Sequence, residues 1–263
     1  MTGRDIDILT AEAVALLKEM VAIESPSFSE DAVCSHISGW LSDRGVAHER
    51  AGNNIIATHM EDESRPTLML CAHIDPVAAS EDYGFDPYKP DYQRAAEVIS
   101  EIRGESLTAS DIVAGLGSND DGASVVSMIG AYRHFCSHCA AGRNLILVLT
   151  CEEERSGTGG MTGLWPELAR KVDFAIIGEP TGMKAATSER GLLVIDATAH
   201  GVSGHAARNE GCNALYKALE DIEKLRKHNF DKISARMGKV NLNITQINAG
   251  TAHNVVPDRC DFV

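Results

Sequence analysis

Residues 144–154 read Asn144-Leu-Ile-Leu-Val-Leu-Thr150-Cys151-Glu152-Glu153-Glu154, a short apolar run closed by polar residues and followed at once by three acids. A run this short and this rich in branched aliphatic residues predicts a strand buried on both faces. Two other stretches share the pattern. Thr67–Ala72 runs into His73-Ile74-Asp75, and Asp173–Ile177 runs into Gly178-Glu179-Pro180. A further apolar stretch, Asn54–Met60, also reads as a strand, and helical spacing marks 8–22, the segment from Ser29 to near Gly45, 121–135 and 164–172. Strands alternating with helices predict an α/β fold, a mostly parallel sheet flanked by helices on both faces. In such sheets the ligand crevice lies beyond the carboxyl ends of the strands. Three strand ends would therefore bring His or carboxylate groups to one place.

The remaining composition narrows the classes of function. A chain of 263 residues is long enough for one large domain or two ordinary ones. Its net charge of −14 argues against a nucleic-acid or anionic-membrane partner, because phosphate surfaces attract basic patches. No apolar run reaches the ~18 residues that a bilayer span requires. The first residues, Met1-Thr-Gly-Arg-Asp-Ile-Asp-Ile-Leu, read as a helix start and not as a signal peptide. Seven scattered cysteines suit buried thiols in a reducing cytoplasm. The close pair Cys136 and Cys139, with His134, lacks the second ligand pair of a structural zinc knot and reads as structural thiols at a helix end.

A fourth element is Gly115-Leu-Gly117-Ser-Asn-Asp120-Asp121-Gly122, just before a predicted helix. Asp120 and Asp121 could simply cap that helix. A nucleotide-binding reading is weak, since the third glycine is misplaced and no Lys-Ser/Thr follows. Alongside three His- or acid-tipped strands, metal binding becomes the stronger reading. Imidazole and carboxylate donors suit zinc, and also cobalt or manganese. One aspartate can bridge two ions, and paired ions acidify a water and polarise a carbonyl. One acid must stay off the metals to move the proton. Asp75, two residues after His73, points to the same side of the strand and is expected to hydrogen-bond the imidazole.

The ordered set His73-x-Asp75, Gly115-x-Gly117-x-x-Asp120, Glu153-Glu154, Gly178-Glu179-Pro180-Thr181, Gly204-His205 and Asn254-Val-Val-Pro257 resembles the co-catalytic zinc metallopeptidases and deacylases. That family includes acetylornithine deacetylase and succinyl-diaminopimelate desuccinylase. The resemblance implies a zinc-peptidase-like catalytic domain over 1–183 and a ferredoxin-like α/β sandwich dimerisation (lid) domain over 184–263. The boundary is placed near Pro180–Thr187, where the texture changes. Within the second part, strands at 192–199, 240–248 and 259–263 and a helix at 213–228 are expected.

Carried over residue by residue, the resemblance makes His73, Asp120, Glu154 and Glu179 ligands of two divalent ions, zinc foremost, with Asp120 as the bridge. Glu153 becomes the general base, Asp75 the support of the histidine, and the Asp120–Asp121 peptide cis. His205 matches a histidine that reaches the substrate carbonyl across a homodimer, though it also reads as an exposed loop residue. Arg190 resembles a carboxylate clamp, and Asn254 and Arg208 are weaker substrate contacts, Arg208 equally readable as a salt-bridge partner. The implied activity is cytoplasmic hydrolysis of a small N-acyl amino acid. The closest likeness is to acetylornithine deacetylase and its acetylcitrulline or succinylornithine relatives in arginine biosynthesis. The alternatives are a dipeptidase or carboxypeptidase of the same family, or a non-catalytic truncated member. Three departures stand out: Pro76 where Thr is frequent, Glu152 where Asp is frequent, and a long loop at 91–111. The chain stops at Asp261-Phe-Val263 in mid-strand, so the second domain reads as incomplete and the family's last metal-binding histidine as lying beyond it.

Overall fold

The computed structural model describes residues 3–81, 83–138, 142–208 and 210–263, and Cys139 lies outside the described residues. The chain divides into two compact units, Met1–Met183 and Lys184–Val263. In chain order the first unit comprises α1 (Gly3–Val21), α2 (Asp31–Asp43), β1 (Glu49–Ala51), β2 (Asn54–His59), β3 (Thr67–His73), α3 (Tyr92–Arg103), α4 (Gly122–Ser137), β4 (Asn144–Thr150), α5 (Met161–Leu168) and β5 (Phe174–Ile177).

The five strands form one sheet in the order β1-β2-β4-β3-β5. Every residue of β4 is buried, as its uninterrupted apolar run requires. β3 runs parallel to both β4 and β5, while β1 and β2 add an antiparallel edge. The register sets the site. His73 lies opposite Thr150, and Cys71 lies opposite Ile177. His73, the acids after Thr150 and Glu179 therefore leave the sheet at the same edge.

One face of the sheet is sealed by a core in which Leu16, Ile37, Leu41, Val125 and Ile129 meet Ile55, Leu147 and Leu149. The other face carries a smaller cluster of Met69, Cys71, Ile146, Val148 and Leu168 beneath α5. Fully burying an aliphatic side chain contributes about 1.5–3 kcal/mol, so the first face dominates the stability of this unit. β5 differs: all four of its residues are exposed, including Phe174, Ile176 and Ile177.

The stretch 91–111, expected to be a loop, contains α3. Asp91 caps it by accepting from the Arg94 N–H, and Gly104 ends it at φ 68°. These are ordinary start and stop signals, and the helix was legible in them. Ser29 and Glu30 do precede α2, but Glu30 makes no side-chain cap bond and is fully buried.

The second unit comprises β6 (Ala197–His200), β7 (Gly204–His205), a short 3-10 turn (Ala206–Arg208), α6 (Ala214–Lys227), β8 (Ile247–Ala249), β9 (Val255–Val256) and β10 (Arg259–Phe262). β10 lies between β6 and β8, antiparallel to both. α6 is capped by Asn213 and packs Ala214 and Ala218 onto Cys260 and Phe262. The strands are shorter than the expected 192–199 and 240–248. β6 pairs with β10 over Ala197–His200 and β8 over Ile247–Ala249. Leu192–Ile195 is exposed and outside any ladder. No helix among the described residues is long and apolar enough to cross a membrane.

Candidate metal centre

His73 ends β3 and is 3 % exposed. Its Nε2 lies 3.2 Å from Asp120 Oδ1 and 3.9 Å from Glu153 Oε2. Ligand atoms of His73, Asp120 and Glu154 all lie within 4.8 Å of one another. This is the only such group of three among the described residues, and its members are three of the four ligand candidates expected from the sequence. Glu179 lies outside this tight group, although its charge is within electrostatic reach of His73, Asp120 and Glu153.

The imidazole is oriented from behind. Its Nδ1 lies 2.7 Å from the Asp75 backbone carbonyl and 3.7 Å from the Asp75 carboxylate. Asp75 thus faces the ring with both its main-chain carbonyl, the nearer acceptor, and its carboxylate. An N–H on Nδ1 leaves the Nε2 lone pair facing Asp120. The fully buried Asp75 carboxylate also accepts from Ser27 Oγ at 2.7 Å and from the Glu153 and Glu154 N–H groups at 3.2 Å each. It thus grips the backbone of the adjoining acidic turn. Burial works against this charge, yet the bonds from His73, Ser27 and that backbone hold the carboxyl below the usual range.

The Asp120–Asp121 peptide is cis, as the resemblance implied. Asp121 stands at the N-cap position of α4 but makes no capping bond there. Its side chain accepts from the His73 N–H at 3.3 Å, so the simple capping reading fails for it. Two glycines let this turn close. Gly115 has φ 119°, and a Cβ there would lie 2.9 Å from the Pro87 carbonyl; Gly117 has φ 73°.

The acids at this edge have almost no basic counterpart. Glu154 and Glu179 are pushed up by burial and then by neighbouring carboxylates, with His73 alone working the other way. Burial also opposes a charge on His73, but Asp75 and Asp121 raise its pKa to about 10. A divalent cation would relieve both effects at once, replacing the imidazole proton and neutralising the carboxylates. The donor set, one imidazole and several carboxylates, fits zinc, cobalt or manganese. A cavity of ≈ 840 Å³ in the first unit is bordered by Arg44, His59, Arg133 and His138 and contains none of these acids. Cys71 and Cys151 beside the site are pushed by burial up to about 12, which makes them inert packing groups.

In the second unit, pairing of β7 with β9 sets His205 opposite Val255, and the Ala206 N–H donates to the Asn254 carbonyl at 3.0 Å. His205 and Asn254 are thereby brought to neighbouring strands, and both, like Arg208 in the following turn, are exposed. His205 Nδ1 accepts from the Ala207 N–H at 3.2 Å. Arg190 is elsewhere engaged: its guanidinium donates to the backbone carbonyls of Met237 and Lys239. Sequence reading missed two groups behind the acidic turn, Glu30 and Asn54, which carry no motif. Their signal was a polar residue beside an apolar run.

Residues 187–263 match the model of the peptidase dimerisation domain, and residues 54–172 match that of peptidase family M28. Succinyl-diaminopimelate desuccinylase of Corynebacterium glutamicum is 30 % identical over 95 % of this chain and 64 % of its own length. A probable carboxypeptidase of Ajellomyces capsulatus is 28 % identical over 95 % of this chain and 59 % of its own length. The chain thus spans less than two thirds of the length of these curated relatives. Among solved structures, a tripeptidase from Staphylococcus aureus superposes with a TM-score of 0.63 at 21 % identity, covering 95 % of this chain and 64 % of that one. A dinuclear metal-binding peptidase of the M20 family from Bacillus subtilis gives 0.61 at 16 % identity, covering 97 % and 63 %. At these identities the structures speak for the fold. The sequence matches make the second unit a peptidase dimerisation domain and the chain homologous to succinyl-diaminopimelate desuccinylase, and its fold is shared with a peptidase of the M20 family.

Proposed function

We propose that the chain carries the metal-dependent amidohydrolase site of an enzyme that cleaves the amide bond of an N-acyl amino acid. The observation that carries this reading is the convergence of His73, Asp120 and Glu154 beside Glu153, with no Lys or Arg ion pair to these acids among the described residues. His73, Asp120 and Glu179 would hold one divalent ion, and Asp120 with Glu154 a second. Such ions supply Lewis acidity to the scissile carbonyl and to water. Glu153, half exposed and 3.9 Å from His73 Nε2, is placed to accept the proton of the attacking water and return it to the leaving amine.

Substrate identity divides the relatives. Resemblance in the 115–121 and 248–258 segments favours acetylornithine, acetylcitrulline or succinylornithine. The relatives named above, a desuccinylase and a probable carboxypeptidase, favour a succinylated amino acid or a peptide. All these substrates place a carboxylate near the scissile amide. Among second-unit residues Arg190 is the candidate clamp for it, His205 the candidate for the substrate carbonyl oxygen across a homodimer, and Asn254 and Arg208 weaker substrate contacts. Arg190 would first have to leave the carbonyls of Met237 and Lys239. The dimerisation domain supports assembly as a homodimer, and a cytoplasmic setting suits the reduced cysteines.

Rates on N-acetylornithine, N-succinyl-diaminopimelate and simple dipeptides, measured side by side with zinc, cobalt or manganese, test the reading. Glu153→Gln should lower turnover by about 10²–10⁴-fold while metal uptake persists. Unchanged turnover in that variant would remove Glu153 from the mechanism.

A further inference from the structure

The turn that carries Glu153 and Glu154 is held in an unusual way. Four consecutive backbone N–H groups donate to side chains from three distant parts of the chain. Cys151 N–H goes to Asn54 Oδ1 at 3.1 Å and Glu152 N–H to Glu30 Oε1 at 3.0 Å. Glu153 and Glu154 N–H go to the two oxygens of Asp75. All three acceptor residues are at most 1 % exposed.

Glu30 is the unexpected member. A carboxylate is costly to bury unless it is paired or fully hydrogen-bonded, and it makes no ion pair among the described residues. Its partners are all neutral donors: the Phe28 N–H at 2.7 Å, the Glu152 N–H, and Asn53 Nδ2 at 3.2 Å. A neutral acceptor such as Asn54 would satisfy a lone amide at lower cost. The charge has a specific task at Glu152. That residue adopts φ 61°, a left-handed conformation disfavoured for a side chain of this size. Its carboxylate folds back to accept the Gly159 N–H at 2.8 Å, and its carbonyl accepts the Gly157 N–H. The space it fills exists because 157 and 159 are glycines, where a Cβ would lie 2.1 and 2.4 Å from Glu152 oxygens.

We propose that Glu30 is a positioning residue: through the Glu152 N–H it fixes the left-handed turn from which the base Glu153 and the ligand Glu154 project. This rests on the hydrolytic reading of those two acids, but its test does not depend on turnover. In the full chain, Glu30→Gln keeps shape and one acceptor oxygen, whereas Glu30→Ala removes both. Amide exchange at 151–154 should quicken at least tenfold in Glu30→Ala while β3 and β4 amides keep their protection, and Glu30→Gln should recover part of it. Cobalt affinity should fall about 10–100-fold in the alanine variant, and on any amide that the wild type cleaves, kcat should fall with KM unchanged. If exchange rises uniformly through the unit, or stays at the wild-type level at 151–154, the assignment is overturned. Should Glu30→Ala fail to fold, Glu30→Gln decides by the same exchange measurement. A wild type that hydrolyses none of the amides would sink the functional reading alone, leaving the exchange result to judge Glu30.

Discussion

Replacing Asp75 with Asn keeps its volume and changes only its charge and one acceptor. Three hydrogen-bond donors within 3.2 Å meet this fully buried carboxylate, Ser27 Oγ and the Glu154 N–H at one oxygen and the Glu153 N–H at the other, with His73 Nδ1 farther off at 3.7 Å. The amide oxygen of Asn can serve the pair, so its NH2 must face the Glu153 N–H. One buried donor is then unsatisfied, at about 1–3 kcal/mol, and the two surviving bonds lose roughly 1 kcal/mol each of charge assistance. Relief from burying a charge offsets part of this, leaving a net loss of about 2–4 kcal/mol at neutral pH. Both tryptophans, Trp40 and Trp165, lie in the first unit, so fluorescence during urea unfolding reports that unit. Since the folded-state pKa of Asp75 is depressed, its stabilisation is present above the unfolded value of about 3.9 and is lost as pH falls through the folded one. The gap between wild type and Asp75→Asn should therefore narrow below about pH 4. A neutral-pH difference under about 0.5 kcal/mol, or a gap that does not change with pH, would refute this account of the buried carboxylate.

Three further outcomes follow from the same geometry. Zinc or cobalt at a thousandfold excess over Kd should stabilise the first unit by about 4 kcal/mol; His73→Ala and Asp120→Ala should abolish the shift seen by thermal unfolding, and an unaltered shift would place the ion elsewhere. In chelator-treated protein, the folded-state pKa of His73, raised to about 10, makes its contribution full below about pH 6.5 and progressively lost as pH climbs toward 10. A His73→Ala variant whose stability declines just as steeply over that range would contradict this. Gly160→Ala would set a Cβ 2.1 Å from the Cys151 carbonyl, so the turn must shift. About 1–3 kcal/mol of stability should go with it, together with cobalt affinity, and an indifferent variant would mean that the turn is looser than described.

The sheet was legible because burial on both faces forces a plain signal. Leu145–Leu149 and Leu68–Ala72 leave few alternatives to central strands, and their carboxyl ends carry His73 and Glu153-Glu154. The order of strands is not written in such runs, and neither is the antiparallel sense of β2, which pairs with β4 through a non-local register. In the second unit Leu192–Ile195 reads as a strand from its apolar character, but a ladder also needs a paired neighbour, and β6 pairs only over Ala197–His200. The metal-ligand candidates were recognisable because their chemistry demands particular side chains. Glu30 and Asn54 were not, because accepting a backbone N–H is a task many residues can do, and only the folded chain shows which one does it.

The clamp on residues 151–154 also bears on when the site comes into being. Its bonds join residues 78, 79, 97 and 122 positions apart in sequence. Contacts of such separation form only after the intervening chain has paid its loop-closure entropy. During folding, the proton-handling acid and its neighbouring ligand should remain free to wander until the sheet is assembled. Compact but incompletely folded forms of this chain would then be inert, and recovery of metal binding on refolding should lag behind recovery of helix and strand.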